Sequence, residues 1–77
     1  MSGDNEEQWA ERAKRFFKAE LKRADVTYDD LADRLSKMGL CETKASIANK
    51  ISRGTFSAAF LLASLKAIGC HQLRLDD

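Results

Sequence analysis

The amino-acid sequence predicts a small all-α protein built from four helices. Proline, which breaks helices, is absent from the 77 residues. Apolar residues recur with the period of a helix, and Gly39, Gly54 and Gly69 separate these periodic segments in the way that glycines end helices. A chain of this length holds one domain with a modest core.

The first predicted helix runs from about Glu6 to Ala24 and carries an apolar arc opposite a basic arc. The apolar arc is predicted to lie in the core and contains Trp9, Ala13, Phe16, Phe17, Leu21 and Ala24. The basic arc contains Arg12, Lys14, Arg15, Lys18, Lys22 and Arg23. Glu20 falls within the apolar arc, so we expect it to meet a basic partner or a backbone amide. Residues 1–5 are predicted to be disordered.

The second helix is predicted to start at Thr27, whose hydroxyl caps the first turn, and to end at Gly39. Its buried stripe comprises Tyr28, Leu31, Ala32, Leu35 and Met38. The third helix begins near Glu42 or Thr43 and ends at Gly54. Three of its residues are predicted to face inward: Ile47, Ala48 and Ile51.

The fourth helix is predicted to begin at a Ser57 cap and to close at Gly69. It is apolar almost all round, so we expect it to be the central buried helix. The C-terminal tail, residues 71–77, alternates weakly at Leu73 and Leu75, and could form a short strand or an extended arm.

A short second helix, a turn and a third helix with a polar outer face form the arrangement of a helix-turn-helix unit. The segment VTYDDLADRL, followed by SIANKISRG and SAAFLLASLKAIG, resembles the lambda-repressor-like helix-turn-helix family over residues 26–70. The resemblance implies one helix-turn-helix domain over residues 6–70. More narrowly, SIANKISRGTFSAAF with the closing AIG is similar to a short bacterial family, domain of unknown function 6471. The stretch from Leu31 to Gly54 is longer than in the usual unit, so either the second helix or the turn is extended.

The lambda-repressor-like resemblance implies binding of double-stranded DNA by a bacterial or phage-type transcriptional regulator, with the third helix in the major groove. The base-facing candidates that it implies on the third helix are Thr43, Ser46, Asn49 and Lys50, and Lys44 and Arg53 flank them. On the first helix, the candidates for phosphate contacts are Arg12, Arg15, Lys18 and Lys22. Asparagine can pair with adenine, and lysine can donate to the acceptors of guanine. The alternative for the basic arc is an ordinary solvated helix surface.

The apolar character of the fourth helix predicts a homodimer, because this chain is short of helices to cover it. The predicted seam comprises Ala59, Phe60, Ala63, Leu73 and Leu75. The alternative function is therefore a homodimeric protein-interaction module on a helix-turn-helix scaffold that does not bind DNA. Salt separates the two, since DNA binding weakens steeply as the salt concentration rises.

Other classes of function find little support in the sequence. Cys41, Cys70 and the single His71 supply too few ligands for a metal site, and neighbouring Cys70 and His71 are a poor catalytic pair. We therefore expect no catalytic residues, metal, cofactor or small-molecule ligand. No apolar stretch suits export or a membrane span, which predicts a cytoplasmic protein. The net charge of +1 is a point against DNA binding.

Overall fold

The computed structural model describes residues 5–75 and contains four α-helices. These are α1 (Glu6–Ala24), α2 (Tyr28–Lys37), α3 (Lys44–Arg53) and α4 (Ala58–Ala67). Within residues 5–75 there is no strand, so the predicted all-α class is confirmed, and residues 71–75 form a tail without regular secondary structure. The remaining predictions for the termini, disorder over 1–4 and the arm over 76–77, lie outside the described residues.

Each helix begins with a side chain that accepts a hydrogen bond from a backbone amide of the first turn. Asn5 accepts from Gln8 at 2.9 Å, Thr27 from Asp30 at 3.1 Å, Thr43 from Ser46 at 3.0 Å and Ser57 from Phe60 at 3.0 Å. The caps predicted at Thr27 and Ser57 are confirmed, and Thr43 is the N-cap of α3. The prediction of disorder was wrong for Asn5, because its side chain is the N-cap of α1.

The connection between α2 and α3 is longer than the three or four residues that usually join the helices of a helix-turn-helix unit. It spans residues 38–43, between the end of α2 at Lys37 and the start of α3 at Lys44. The extension expected from the sequence therefore lies in the turn, while α2 remains a helix of 10 residues.

All four helices contribute to the core. Helix α3 packs against α1 and α2, and α4 packs against α2. The buried apolar cluster consists of Phe17, Leu21, Val26, Leu31, Leu35, Ile47, Ile51 and Phe60. Phe17 is fully buried, and its ring centre lies 5.3 Å from that of Phe56 and 5.6 Å from that of Phe60. These aromatic contacts join α1 to the segment that leads into α4.

Several residues predicted to be buried are exposed. Trp9 is 49% exposed and Met38 is 43% exposed, because neither is covered by another helix. Ala24, at the end of α1, is also exposed. The prediction that α4 is a central buried helix was wrong: only Phe60, Ser64 and Leu65 of α4 are buried, and Leu62 is 65% exposed. Helix α4 packs on one side, and the other side carries apolar residues at the surface.

The loop after α3 lies directly against α1. Gly54 has a φ of +70°, and a Cβ atom at this position would stand only 2.1 Å from the carbonyl oxygen of Ala10. Such a distance is far inside van der Waals contact, so the side-chain hydrogen of glycine is what allows the approach. This contact fixes the C-terminal end of α3 against the N-terminal half of α1.

Candidate nucleic-acid interface

The solvent-facing side of α3 is built mainly from small residues. Its exposed positions are Lys44, Ala45, Asn49, Ser52 and Arg53, and Ala48 between them is half-buried. Ser46 and Lys50 were predicted to face outward, but both are half-buried at the edge of the helix. The centre of the exposed arc is displaced toward Ala45, Asn49 and Ser52, because Ile47 and Ile51 fix the opposite arc in the core.

The side chain of Glu42, in the turn before α3, accepts hydrogen bonds from both Ser46 and Lys50. The Ser46 hydroxyl donates a 2.6 Å hydrogen bond to Glu42 Oε1, and Lys50 Nζ donates to Glu42 Oε2. The Glu42 side chain is only 9% exposed, so its carboxylate accepts both hydrogen bonds largely shielded from solvent. Ser46 also accepts a hydrogen bond from the Thr43 backbone amide at 2.9 Å, which completes a capping box.

Lys50 is further fixed by an aromatic ring of the core. Its Nζ lies 4.9 Å from the centre of the Phe60 ring, within the range of a cation–π interaction. Lys50 therefore joins the turn, through Glu42, to α4, through Phe60. These contacts assign Lys50 to the packing of α3 and leave Lys44, Asn49 and Arg53 as the larger polar side chains of the exposed arc.

The ionisation of Glu42 follows from these contacts. Burial acts to raise the pKa of the Glu42 carboxyl, but the hydrogen bonds from Lys50 and Ser46 and the positive charge of Lys50 outweigh it. The pKa of Glu42 is consequently lowered below its ordinary value of 4.5. Glu42 is thus a carboxylate at neutral pH, and its charge is matched by Lys50.

At the start of α3, Lys44 and Thr43 stand next to the first turn of α2. Lys44 Nζ lies 4.0 Å from Asp29 Oδ2, and both side chains are mostly exposed. An exposed pair at this distance is weak. Lys44 can therefore leave Asp29 for a stronger anionic partner at little cost.

The basic arc of α1 includes three lysines at intervals of four residues: Lys14, Lys18 and Lys22. Of these three lysines, Lys18 and Lys22 are exposed, and Lys14 pairs with Glu11 at 3.3 Å.

Arg12 and Arg15 lie beside the tail. The Arg12 guanidinium donates a 2.9 Å hydrogen bond to the carbonyl of Leu75 and lies 5.1 Å from the centre of the Trp9 ring. Arg12 and Arg15 both line a groove between α1, Leu61 of α4 and the tail. Of the four residues predicted to contact phosphate, Arg12 and Arg15 thus line the groove beside the tail, whereas Lys18 and Lys22 are exposed outside it.

The groove beside the tail has a volume of about 410 Å³. It is lined by Trp9, Arg12, Ala13, Arg15, Phe16, Leu61, Leu73, Arg74 and Leu75. A second groove of about 260 Å³ adjoins it through Leu73 and is lined also by Leu62, Leu65, Lys66, Cys70, His71 and Gln72. We call the surface formed by both grooves the tail face.

The residues predicted to form a dimer seam are placed unequally. Leu73 and Leu75 are 46% and 66% exposed and lie on the tail face. Ala59 is exposed and Ala63 is half-buried. Phe60 is 3% exposed in the core, so the surface of this molecule does not present it, and the prediction that placed it at the seam is corrected.

The role of Glu42 was not predicted from the sequence. The signal was present in the spacing, because Glu42, Ser46 and Lys50 follow one another at intervals of four and share one helical edge. Nor was a role predicted for Arg34 of α2, whose guanidinium donates a 3.0 Å hydrogen bond to the carbonyl of Ala67 at the end of α4. The expectation that Glu20 finds a basic partner is confirmed by its ion pair with Arg23.

The part of the chain that the structure describes contains no group of three His, Cys, Asp or Glu side chains placed to hold a metal ion. Over the same residues, no helix combines the length and the apolar character that crossing a membrane requires. Cys41 is exposed and Cys70 half-buried, and both are free thiols.

Fold and surface together define a small four-helix protein with one exposed polar helix and a separate apolar tail face. The chain belongs to the family described as Domain of unknown function (DUF6471), whose family model matches residues 9–73. The similarity to this family that the sequence indicated is thus confirmed. No curated protein matches the chain, and no solved structure does.

Proposed function

We propose that this protein is a lambda-repressor-like helix-turn-helix protein that binds double-stranded DNA and regulates transcription. The observation that carries the proposal is the exposed arc of α3. Small residues at Ala45, Ala48 and Ser52 let the helix backbone approach a major groove closely, and Asn49 and Arg53 stand among them as the side chains long enough to reach base edges.

The chemistry of the exposed arc suggests how bases would be distinguished. Asn49 can bond in a bidentate manner to adenine, Arg53 can do so to guanine, and Ala45 or Ala48 can contact a thymine methyl group. Ser46 and Lys50 take no part in this proposal, because Glu42 engages both. Base recognition therefore depends on fewer residues than the sequence alone implied.

Phosphate contacts in this proposal come from Lys18 and Lys22 of α1 and from Thr43 and Lys44 at the start of α3. The N-terminus of a helix carries a partial positive charge, which adds to the attraction for a phosphate at α3. With a net charge of +1, attraction between the whole protein and DNA is weak. The local arrangement of these lysines must consequently provide the attraction.

The experiment is a binding selection from random duplex DNA at low salt, followed by affinity measurements on the enriched sequence. The double variant Asn49→Ala with Arg53→Ala should lose the sequence preference, with a fall in affinity of at least about tenfold. The matched control is Ser36→Ala with Lys37→Ala, which removes one exposed cation and one small polar side chain from α2 and should retain the preference. Enrichment that survives the double variant would reject α3 as the reading helix.

The salt dependence of binding tests the phosphate contacts. Lys18→Ala with Lys22→Ala should reduce the slope of log affinity against log salt by about 1.8, since each phosphate contact contributes about 0.9. The enriched sequence should stay the same, because phosphate contacts position the protein without reading bases. An unchanged slope would remove the two lysines from the interface.

A second candidate is a protein-interaction module on the same scaffold, without DNA binding. The observation that favours it is the tail face. Five large apolar side chains are exposed among the described residues, and four of them line the grooves of the tail face: Trp9, Leu62, Leu73 and Leu75. A patch of this kind marks an interaction surface. Absence of any duplex binding at low salt would favour this second candidate.

A further inference from the structure

We propose that the tail face binds an acidic amphipathic segment of a partner protein, in which large apolar side chains are flanked by Asp or Glu. The proposal does not depend on DNA binding by α3. It rests on the second candidate function, because it gives the partner of that interaction module a stated chemistry. Two properties of the tail face carry it, the apolar lining of the grooves and the sign of their charge.

The apolar lining of the tail face is exposed and lies outside the core. Trp9 is 49% exposed, Leu62 65% and Leu75 66%, whereas the buried apolar cluster contains none of them. The larger groove, of about 410 Å³, falls within the range of about 300–1,000 Å³ that ligand pockets occupy. The smaller groove adjoins it through Leu73. Two adjoining grooves suit successive apolar side chains of one segment, as when an amphipathic helix lies in a hydrophobic groove.

Every charged residue that lines the two grooves is basic. Among the residues that the structure describes, no Asp or Glu lines either groove, and the charged residues are Arg12, Arg15, Lys66 and Arg74. The sequence continues after Leu75 with Asp76 and Asp77, so the four basic residues still outnumber these two acidic neighbours. Arg15 and Lys66 are exposed and, within the described part of the chain, take part in no ion pair. Their charges are therefore available to the carboxylates of a partner.

Arg12 places positive charge and apolar surface at the same position. Its guanidinium donates a 2.9 Å hydrogen bond to the carbonyl of Leu75 and lies 5.1 Å from the centre of the Trp9 ring. The residue thus joins α1 to the tail and adds charge beside a half-exposed ring. An acidic amphipathic segment matches this combination, because its apolar side chains and its carboxylates are interleaved.

The charge of the tail face distinguishes this partner from a second copy of the chain. In a two-fold symmetric pair the same surface faces itself, so the basic residues of one copy would meet those of the other. Like charges set opposite each other weaken binding. The tail face is therefore a better match to an acidic partner than to the dimer predicted through Leu73 and Leu75.

The apolar side chains distinguish a protein segment from other anionic partners. Single-stranded nucleic acid stacks its bases on aromatic rings, but three of the four exposed large apolar residues of the tail face are leucines: Leu62, Leu73 and Leu75. A membrane surface binds apolar side chains that project into it, whereas the tail face is concave. Grooves lined by leucine and positive charge instead receive apolar side chains that carboxylates accompany.

The experiment selects binders to the full chain from a phage-displayed library of random peptides about 12 residues long. Enriched peptides should combine large apolar residues with an excess of Asp and Glu over Lys and Arg. One enriched peptide without tryptophan is then synthesised with two relatives, in which the acidic residues are replaced by their amides or by lysine. The emission of Trp9, the one tryptophan of this chain, should shift to shorter wavelength as the acidic peptide covers its ring.

The affinities of the three peptides test the role of charge. The acidic peptide should bind with a Kd in the micromolar range, the amide peptide at least about tenfold more weakly, and the lysine peptide more weakly still. Binding of the acidic peptide should weaken as salt rises. Equal affinities of the acidic and amide peptides would overturn the acidic partner while leaving the tail face an interaction surface. Enrichment of no peptide would overturn both the proposal and the use of this face by the second candidate function.

Charge substitutions test where the acidic peptide binds, and circular dichroism confirms that each variant folds. Arg15→Glu and Lys66→Glu should each weaken binding by about fivefold or more, since each sets a negative charge against the carboxylates of the peptide. Lys37→Glu is the matched control, because it makes the same change of charge at an exposed position that lines neither groove. Its affinity should stay within about twofold of the unaltered chain. Equal weakening in all three variants would show an effect of net charge alone and would overturn the proposal.

An apolar substitution tests the lining of the grooves. Leu75→Glu should abolish binding of the acidic peptide, because it puts a carboxylate where an apolar side chain and a cationic surface are needed. Met38→Glu is its control, since Met38 is 43% exposed and lines neither groove, and it should bind as the unaltered chain does. Retained affinity in Leu75→Glu would reject the tail face as the binding site.

The other occupants are measured with the same chain. Sedimentation equilibrium at about 50 µM should give the monomer mass of 8.6 kDa, and neither a thymidine oligonucleotide nor anionic phospholipid vesicles should shift the Trp9 emission as far as the acidic peptide does. A dimer that the acidic peptide does not dissociate would overturn the proposal in favour of a second copy. A larger Trp9 shift with the oligonucleotide or the vesicles would overturn it in favour of nucleic acid or a membrane.

Discussion

At the scale of single residues, Gly54 sets the distance between the end of α3 and α1. Its backbone has a left-handed conformation, with φ of +70°, and its position leaves no room for a side chain against the Ala10 carbonyl. Gly39 is also left-handed, with φ of +90°, but a Cβ atom there would meet nothing within 4 Å. Comparing substitutions at these two glycines therefore separates the free-energy cost of a left-handed backbone from the cost of a steric clash.

We predict that Gly54→Ala lowers the free energy of unfolding by about 3 kcal/mol or more, because the strain of a left-handed alanine is added to a backbone collision. Gly39→Ala should cost only about 1–2 kcal/mol, the strain alone. Urea denaturation followed by circular dichroism measures both. Equal losses in the two variants would contradict the close approach between Gly54 and Ala10.

A second residue-scale feature is the charge of Glu42. Because the pKa of Glu42 is lowered in the folded protein, its carboxylate stabilises the fold above the unfolded-state value of 4.5. This contribution is lost as the pH falls through the lower, folded-state pKa. The loss follows the protonation of Glu42 and the rupture of its bonds with Ser46 and Lys50.

We predict that Glu42→Gln lowers the free energy of unfolding at pH 7 by about 1–2 kcal/mol, the effect of removing one partner of a charge-assisted pair. The difference from the unaltered chain should shrink below pH 4.5 and disappear below the folded-state pKa. Urea titrations at several pH values provide the measurement. Glu11→Gln, which alters an exposed pair with Lys14, is the control and should change stability by less than about 0.5 kcal/mol.

At the scale of elements, α3 divides its polar residues between two roles. The edge occupied by Ser46 and Lys50 connects the turn and α4 to the helix, while the arc around Asn49 faces solvent. The long turn is part of this division, because residues 38–43 supply Glu42. The extra residues of the turn thus hold α3 in place while its exposed arc stays open.

We predict that Lys50→Ala lowers the free energy of unfolding by about 1–2 kcal/mol, through loss of the contacts with Phe60 and Glu42. Asn49→Ala, one position away, should leave stability within about 0.5 kcal/mol, because its side chain is exposed. The same urea experiment compares them. If Lys50→Ala leaves the free energy of unfolding unchanged, the contacts of Lys50 with Phe60 and Glu42 do not stabilise the fold.

At the scale of the whole molecule, the four helices and the tail have different importance for folding. The buried cluster draws on all four helices and on Val26 between α1 and α2, but it includes no residue of the tail. The tail is attached mainly by partly exposed contacts, among them the hydrogen bond from Arg12 to the Leu75 carbonyl. The folding unit is therefore expected to end near residue 70.

We predict that deleting residues 71–77 leaves the thermal midpoint, measured at low protein concentration, within about 8 °C of the full chain, since a change of up to about 1 kcal/mol produces no larger shift in a domain of this size. Circular dichroism during heating measures it. Loss of cooperative unfolding in the shortened chain would show that the tail belongs to the folding unit.

The sequence by itself determined the helices and their ends. Thr27, Thr43 and Ser57 accept hydrogen bonds from amides three residues ahead, and Gly54 closes α3, so these boundaries depend on contacts within a few residues. The inward positions of Leu31, Leu35, Ile47 and Ile51 followed from periodicity for the same local reason. Membership in the family also followed from the sequence.

The tertiary structure alone decided which part of each helix surface is covered. A helical wheel gives the angle of a residue around its own axis, but not the direction from which a neighbouring helix approaches. For that reason Trp9 and Leu62, apolar residues in apolar arcs, are exposed, while Lys50, predicted to read bases, is held by Glu42 and Phe60. The separation of the α3 arc from the tail face has the same origin, since it arises from how α1 lies between α3 and the tail.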